Sequence, residues 1–353
     1  MEADRRDRSS PGRRGRRLLT AAAVVAVFGL ILGAAGAWVV WGPNTPAYEG
    51  ERSVKIGPEA GLPAVIDSLD AAGILRSRTT FRWMATLTGW GAQVKPGHYR
   101  FAAGASNYDV LDVLRRGLQA PVRLTIPPGS RPEVVAAVMA REIGWPREAF
   151  LDALSDSSLA AELGTDVRHL FGYMLPETYF LYWRTPPASV IRKIKEEFEA
   201  YYRRLPGSQD PPLGLRPEQV LTLASIVEWE SSYDPERPTI AGVYLNRLRR
   251  GWPLQADPTI QYALLQIEGQ KRRLYFRDYD LDHPYNTYQF RGLPPGPITN
   301  PSPSSIRAVL QPEAHDYFYF VANADGRHTF SRTLTEHNRA AQAYYRALRE
   351  RNR

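Results

Sequence analysis

Residues 220–230 read VLTLASIVEWE, so an apolar helix is predicted to end on two closely spaced glutamates. Pro217 fits the first turn of this helix, because proline lacks an amide hydrogen that the first turn would leave unpaired anyway. The apolar side chains recur at the helical spacing and form one predicted buried stripe: Val220, Leu223, Ala224 and Val227. Glu228 and Glu230 fall on opposite shoulders of that stripe.

Both glutamates are candidates for acid–base chemistry. A carboxyl group beside an apolar stripe and the indole of Trp229 loses part of its hydration, which raises its pKa and makes it a usable acid near neutral pH. Helical spacing does not choose between Glu228 and Glu230. A pair of solvated glutamates at the end of a helix remains an alternative.

Downstream of the glutamates, polar and stiff segments alternate with helices. Residues 237–249 are predicted to form a helix that carries Asn246, and Gln255 and Asp257 stand just before another helix. Residues 292–301 hold four prolines, so this stretch suits the wall of a groove better than a core element. Residues 317–321 alternate like a strand, and residues 328–330 follow a predicted turn at 324–326.

Upstream, a short strand, a glycine turn and an amphipathic helix recur three times. The strands are predicted at 54–57, 99–101 and 124–126, and the helices at 62–73, 108–117 and 132–144. Such modules suit binding, although purely structural struts explain them equally well. Residues 150–205 are predicted to be helical apart from an aromatic loop at 171–180.

The N-terminal region predicts a membrane anchor. Leu18–Trp41 are 24 residues without a charge, enough for a helix to cross a bilayer. The arginines of residues 1–17 favour a cytoplasmic tail, so everything after residue 42 would lie outside the cytoplasm, in the periplasm. A cleaved signal peptide with a site at residues 35–37 is the alternative, but its apolar region would be unusually long.

Composition excludes several classes of function. The absence of cysteine rules out disulfides, thiolate zinc sites and cysteine nucleophiles. Seven arginines against three acidic residues in 1–17 give +4, half of the net charge of +8, so no clustered basic face for nucleic acid is indicated. The histidines lack HExxH spacing and no GxSxG occurs, so neither a metal site, a cofactor nor a serine hydrolase is predicted.

The motifs together resemble the endolytic murein transglycosylase (MltG, YceG-like) family. The similar segments are PGHYRF (96–101), GYMLPETY (172–179), LASIVEWE (223–230), VYLNRL (243–248), LQADPT (254–259), YNTY (285–288), GLPPGPI (292–298) and HTF (328–330). The resemblance implies an α+β fold with an N-terminal transmembrane helix, LysM-like strand–helix modules over 50–145 and a mixed α/β catalytic domain over 146–345.

The resemblance also implies an activity. It is cleavage of the MurNAc–GlcNAc β-1,4 bond of nascent peptidoglycan strands, leaving a 1,6-anhydroMurNAc end and terminating strand elongation. The family's catalytic glutamate, the first of Val-Glu-x-Glu, falls on Glu228, with Glu230 in a supporting role. Trp229 stands where a polar residue is expected. Association with peptidoglycan synthases is implied as well.

A lytic transglycosylase needs one carboxylate, because the C6 hydroxyl of the same sugar replaces water as the nucleophile. Five residues are candidates to hold the acetamide and stabilise charge at C1: Asn246, Gln255, Tyr285, Asn286 and Tyr288. A muramidase with Glu230 or Asp257 as second carboxylate is the first alternative. A non-catalytic peptidoglycan-binding scaffold is the second.

Overall fold

The computed structural model describes residues 12–323 and 325–351, in two compact units that divide between Pro121 and Val122. Residues 1–11 of the predicted tail and residue 324 of the predicted turn lie outside the described residues. The chain is a mixture of helices and small antiparallel sheets, in agreement with the predicted α+β class.

The N-terminal unit begins with the predicted apolar helix and continues into a small sheet covered by helices. Its elements are α1 (Gly12–Trp41), β1 (Glu51–Ile56), α2 (Leu62–Ala71), α3 (Arg78–Leu87), β2 (Gly97–Ala102) and α4 (Asn107–Arg116). The segment Leu18–Trp41 has a mean hydropathy of 2.5 and is not buried in the protein, so α1 is long and apolar enough to cross a membrane.

β1 and β2 pair antiparallel, with Val54 opposite Tyr99. Alternate side chains of the two strands face the helices, where they form one core with apolar residues of α2, α3 and α4. The first two predicted strand–helix units are therefore present. Helix α3 was not predicted, because only Phe81, Met84 and Ala85 of its ten residues are buried and its other apolar side chains are exposed, which obscures the helical period.

The C-terminal unit holds two further strand pairs and most of the helices. Its elements are β3 (Val122–Thr125), α5 (Pro132–Ile143), α6 (Arg147–Leu154), α7 (Ser157–Glu162), α8 (Val167–Leu170), β4 (Thr178–Leu181), α9 (Pro187–Tyr202), α10 (Pro217–Glu230), α11 (Arg237–Arg249), α12 (Asp257–Glu268), α13 (Pro303–Leu310), β5 (Tyr319–Ala322), β6 (His328–Ser331) and α14 (Leu334–Arg351).

The third predicted strand–helix unit is present as β3 and α5, but its strand pairs with a strand that was not predicted. β3 pairs with β4, which lies inside the segment 171–180 that was predicted to be a loop. The partner strand was missed because only four residues pair, and Tyr179 and Leu181 alone face the core. The division of the chain thus falls at 121/122, whereas the predicted strand–helix region extends to residue 145.

Helix α10 lies at the centre of the C-terminal unit. All eight residues from Val220 to Val227 are buried, and α10 packs against α11, α12 and α13. The predicted stripe is therefore only part of its buried surface. Because α10 ends at Glu230, the two glutamates are placed where this packed core opens toward the surface.

Candidate active site

Glu228 is held by four hydrogen-bond donors from three residues. Its Oε1 accepts from Arg237 Nη2 at 3.2 Å, and its Oε2 accepts from the Ser302 amide at 2.9 Å, the Ser302 hydroxyl and the Ser305 hydroxyl at 2.8 Å. Its side chain is 7% exposed. Because Ser302 also caps α13, Glu228 ties the end of α10 to the start of α13.

Arg237 completes this buried cluster. Its guanidinium, also 7% exposed, pairs with Glu228 and with Asp234 and donates to the Ser302 hydroxyl at 2.7 Å. It further donates to the Ser231 carbonyl at 3.3 Å, just after the end of α10. The Glu228 carboxylate is thus part of a buried network in which one guanidinium pairs with two carboxylates, and Ser302 and Ser305 supply the remaining donors to Glu228.

Glu230 has different surroundings. Its carboxyl group is enclosed by protein and receives a hydrogen bond from the Tyr244 hydroxyl of α11. Loss of hydration raises the pKa of Glu230 to about 7, and the negative charge of Asp257 adds to this rise. The Tyr244 hydrogen bond and the positive charge of Arg247 oppose it. Glu230 therefore exchanges a proton near neutral pH.

Glu230 and Asp257 line two cavities, which we name the two lobes of one cleft because they share these residues. The basic lobe has a volume of about 440 Å³ and is lined by Trp229, Glu230, Asp257, Pro258, Gln261, Lys271 and Arg272. The inner lobe has a volume of about 300 Å³ and is lined by Glu230, Asp257, side chains of α11, Gln255, Tyr288 and residues of β5 and β6. A chain-like ligand could extend on both sides of the Glu230 carboxyl group.

The polar residues of the inner lobe hold each other in place. Tyr288 donates from its hydroxyl to Asp257 Oδ1 at 2.7 Å, and Arg247 donates to Gln255 Oε1 at 3.3 Å. Arg247 is buried and also donates to the carbonyls of Leu254 and Phe318. Gln255 has a φ of +51°, a backbone conformation that non-glycine residues seldom adopt, so this segment is held in place by its contacts.

Four of the predicted site residues come together at the cleft: Glu230, Gln255, Asp257 and Tyr288. Four others lie elsewhere. Glu228 is in the buried cluster described above. The Asn246 amide donates to the carbonyls of His315 and Tyr317, and the buried Asn286 amide to those of Tyr279 and Leu281. These two amides fix the backbone of neighbouring segments.

Tyr285 lines a separate cavity of about 370 Å³ in the same unit. Its ring contacts that of Tyr262, with centroids 4.7 Å apart, and burial raises the pKa of its hydroxyl. Tyr285 therefore lines a different cavity from Glu230.

Sequence reasoning did not name Tyr244, Arg247 or Lys271 as site residues, although all three line the cleft. Tyr244 and Arg247 are three residues apart on α11, so they share one helix face, and that spacing could have indicated a polar face turned toward the glutamates. Lys271 lies in an irregular segment after α12 and carries no such signal. Within 12–323 and 325–351, no group of three or more His, Asp or Glu residues is arranged to hold a metal ion.

Comparisons with known proteins match most of the chain to proteins of one kind. The model of a family described as YceG-like matches residues 54–343. A Bacillus subtilis protein named endolytic murein transglycosylase is 28% identical over 314 residues, which are 84% of this chain and 86% of the relative. A Streptococcus pneumoniae protein of the same name is 29% identical over 326 residues, 82% of this chain and 58% of that longer relative.

A solved structure is also similar. It is a crystal structure of a putative yceG-like protein from Listeria monocytogenes, with a TM-score of 0.56 and 27% sequence identity. The match covers 83% of this chain and 99% of that one. Both the sequence and the fold are therefore shared with proteins of one kind.

Proposed function

The chain belongs to the YceG-like family, and from this premise we propose that it is an endolytic lytic transglycosylase of peptidoglycan. It cleaves the MurNAc–GlcNAc β-1,4 bond within nascent glycan strands, leaves a 1,6-anhydroMurNAc end and so terminates strand elongation. The observation that carries the proposal is that Glu230, whose pKa is raised to about 7, lines both lobes of the cleft.

We assign the acid–base role to Glu230, where the sequence resemblance assigned it to Glu228. Every donor around Glu228 is already engaged in bracing α10 to α13, and a general acid must reach the oxygen that it protonates. Glu230 faces both lobes of the cleft and holds its proton near neutral pH. The supporting role passes to Glu228, as a structural anchor.

The reaction proceeds in two proton transfers at one carboxyl group. Protonated Glu230 donates to the glycosidic oxygen as the C1–O4 bond breaks, which leaves positive charge at C1 and a free 4-hydroxyl on the departing sugar. The Glu230 carboxylate then removes the proton of the C6 hydroxyl, and O6 bonds to C1. The nucleophile belongs to the same sugar, so no positioned water is required.

Other residues of the inner lobe stabilise the charged intermediate. Asp257, oriented by Tyr288, places a negative charge in the cleft close enough to affect Glu230, so it also favours positive charge at C1. Gln255 presents an amide in the same lobe that suits the acetamide of the substrate. Tyr244 and Arg247 position and tune Glu230.

A muramidase is the second candidate, and Asp257 is the observation that favours it. A hydrolase needs a second carboxylate near the acid, to act as nucleophile or to activate water, and Asp257 lines the same cleft as Glu230. The products distinguish the two reactions, because water yields a reducing end and O6 yields an anhydro end.

We further propose that α1 anchors the chain in the cell membrane, with residues 1–17 cytoplasmic and both folded units outside. The apolar length of Leu18–Trp41 and the preceding arginines support this topology. The strand–helix–helix–strand order of β1, α2, α3 and β2 supports a LysM-like, glycan-binding role for the N-terminal unit. Peptidoglycan synthases are proposed partners at the site of strand growth.

The test uses the full chain in detergent with uncrosslinked glycan strands, and the products are identified by mass spectrometry. We expect anhydro ends from the wild type, none from Glu230→Gln, and anhydro ends from whatever folded protein Glu228→Gln yields. Loss of activity per folded molecule in Glu228→Gln alone would return the acid to Glu228. Reducing ends would establish the muramidase, and binding without cleavage would establish the scaffold.

A further inference from the structure

The basic lobe of the cleft joins two kinds of charge. Glu230 and Asp257 contribute carboxyl groups to its lining, and Lys271 and Arg272 contribute cations. The proposed acid–base step uses the carboxyl side. The cations have no role in that step, so their presence in the lining calls for a separate explanation.

Arg272 is already neutralised by acidic neighbours. Its guanidinium donates to both carboxylate oxygens of Asp278, at 2.7 and 3.0 Å, and to Glu268 at 2.9 Å. These bonds hold the pKa of Asp278 at about 2, below its usual value. Arg272 is thus a structural cation that fixes the segment after α12.

Lys271 is the cation that remains available. Its ammonium nitrogen lies 3.4 Å from the ring centroid of Trp229. Loss of hydration lowers the pKa of Lys271, and the nearby positive charge of Arg131 lowers it further. In the part of the chain that the structure describes, no carboxylate lies within ion-pair distance of Lys271. The residue is exposed, so its ammonium group, which has no counter-ion, is open to an anion bound in the lobe.

Trp229 holds this cation beside the proposed acid. The indole Nε1 donates to the Gly129 carbonyl at 3.0 Å, which fixes the ring, and Trp229 directly precedes Glu230 in the chain. The cation–π contact with the Trp229 face then keeps the Lys271 ammonium over this ring. An anion bound by Lys271 would therefore lie in the same lobe as the Glu230 carboxyl group.

The proposed substrate carries suitable anions on one of its two sugars only. Muramic acid bears a lactyl ether at O3 that ends either in a free carboxylate or in a stem peptide with carboxylates of its own, whereas N-acetylglucosamine bears none. We propose that Lys271, held against the ring of Trp229 by a cation–π contact, forms a subsite for a carboxylate of this lactyl–peptide arm. The inference rests on the proposed function and deepens it, because such a subsite sets which sugar lies beside Glu230.

The test compares substrates that differ in charge. Wild type and Lys271→Gln, as full chains in detergent, are given native strands and strands whose carboxyl groups have been converted to methylamides. The measured quantity is the ratio of kcat/KM for native strands to kcat/KM for amidated strands. We expect Lys271→Gln to lower this ratio about ten-fold, the scale of one hydrogen bond to a charged group.

Two further variants make the result specific. Lys271→Arg keeps the charge and is expected to retain most of the ratio. Arg273→Gln removes a cation two residues away that is exposed and outside the lining of the lobe, so it is expected to leave the ratio at the wild-type value. Removing the stem peptides with an amidase frees the lactyl carboxylate, which is an amide in strands that carry peptides. A Lys271-dependent ratio on these trimmed strands shows that the subsite accepts the lactyl carboxylate, and its loss shows that the subsite requires a carboxylate of the peptide.

An equal ratio in wild type and Lys271→Gln would overturn the proposal, as would an equal fall in Arg273→Gln. A binding measurement separates this failure from failure of the proposed activity. Affinity for native and amidated strands is measured in Glu230→Gln and in the double variant Glu230→Gln/Lys271→Gln. If the wild type cleaves nothing but Lys271 still controls the affinity ratio, the subsite holds and the transglycosylase proposal falls.

Discussion

At the scale of single residues, two glutamates two positions apart in one helix have opposite surroundings. Glu228 accepts hydrogen bonds from Arg237, Ser302 and Ser305, which stabilise its charge. Glu230 has one recorded hydrogen-bond partner among the described residues, the Tyr244 hydroxyl, and loses its hydration. The two carboxyl groups therefore differ in the number of donors that they meet, and the proposed assignment of the acid to Glu230 rests on this difference.

Burial of Glu230 predicts a stability that falls with pH. Its pKa is about 7 in the folded state, against an ordinary value of 4.5 when the chain is unfolded, so between these values the folded state binds more protons than the unfolded state. The free energy of unfolding then decreases as pH rises through this window, by roughly 3 kcal/mol in total. Replacing the carboxyl group with an uncharged amide removes that dependence.

We therefore expect Glu230→Gln to gain about 2 to 3 kcal/mol relative to the wild type between pH 5 and pH 8. Chemical denaturation of the full chain in detergent, followed by tryptophan fluorescence, measures this difference. The exposed Glu196→Gln is the matched control and should show no such gain. A gain of the same size in the control, or none in Glu230→Gln, would contradict the assigned pKa.

The hydroxyl of Tyr244 predicts a shift in the pH dependence of cleavage. The hydrogen bond that it donates favours the charged form of Glu230 and so lowers the pKa of that group. Because the acid must be protonated, activity should fall as pH rises past about 7, and in Tyr244→Phe this fall should move to higher pH. Profiles of kcat against pH for both proteins measure the shift, and a move to lower pH would refute it.

At the scale of elements, α10 and α13 are joined through a buried charge network. The Glu228 carboxylate at the end of α10 binds Ser302 and Ser305 at the start of α13, and Arg237 of α11 supplies the counter-charge. A neutral side chain at position 228 leaves the Arg237 guanidinium buried beside Asp234 alone, which itself is largely exposed. Helices α10, α11 and α13 then lose the ion pair and the hydrogen bonds that join them.

Glu228→Gln is accordingly expected to lower the free energy of unfolding by about 3 to 5 kcal/mol, the usual cost of breaking a buried ion pair. Denaturant titration at pH 8 measures it. Glu230→Gln serves as the comparison, since the same chemical change two residues away is expected to stabilise the protein at that pH. Equal effects of the two substitutions would show that the donors around Glu228 contribute little.

Helix α11 is fitted closely against the segment that follows α13. A Cβ atom at Gly242 would lie 2.8 Å from the Glu313 carbonyl oxygen and 2.5 Å from His315 Nε2, so part of the contact is with backbone. Alanine normally stabilises a helix by about 1 kcal/mol relative to glycine. At this position the clash with the Glu313 backbone opposes that preference.

We expect this steric clash to outweigh the helix preference of alanine, so that Gly242→Ala lowers the free energy of unfolding by roughly 1 to 3 kcal/mol. The thermal midpoint of the full chain in detergent is the measurement. The reverse change at an exposed helical position, Ala343→Gly in α14, gives the size of the helix preference alone. A stabilised Gly242→Ala would mean that the segment around Glu313 moves aside freely.

At the scale of the whole molecule, the proposed membrane anchor α1 would determine where the chain acts. It continues to Trp41, and the Asn107 side chain of α4 donates to the Val39 carbonyl at 2.8 Å, so the C-terminal end of the apolar helix contacts α4 of the same unit. A chain that is anchored in this way should resist extraction from membranes. Its folded units should also be open to protease from the outer side.

In spheroplasts we expect external protease to remove a tag placed after residue 351 and to spare a tag placed before residue 1. Immunoblotting of both tags measures this, and permeabilised cells provide the control in which both are digested. Release of the chain from membranes by alkaline carbonate would instead favour a cleaved signal peptide and a soluble product.

The sequence alone determined the features that depend on neighbouring residues. The apolar length of α1, the helical periods of α2, α4, α5, α10 and α11, and the family motifs are all local patterns. They were sufficient for the family, the α+β class and a pair of candidate glutamates. They missed α3 and β4, because few of the residues in these two elements face the core.

Only the tertiary structure showed that the predicted site residues have different surroundings. Which glutamate is braced depends on Ser302 and Ser305, more than seventy residues away from Glu228 in the chain, and on Tyr244 from another helix. The ammonium group that contacts the ring of Trp229 belongs to Lys271, which is likewise distant in the chain. Periodicity reports which face of an element is buried, whereas a pKa depends on donors and charges that distant segments bring into contact.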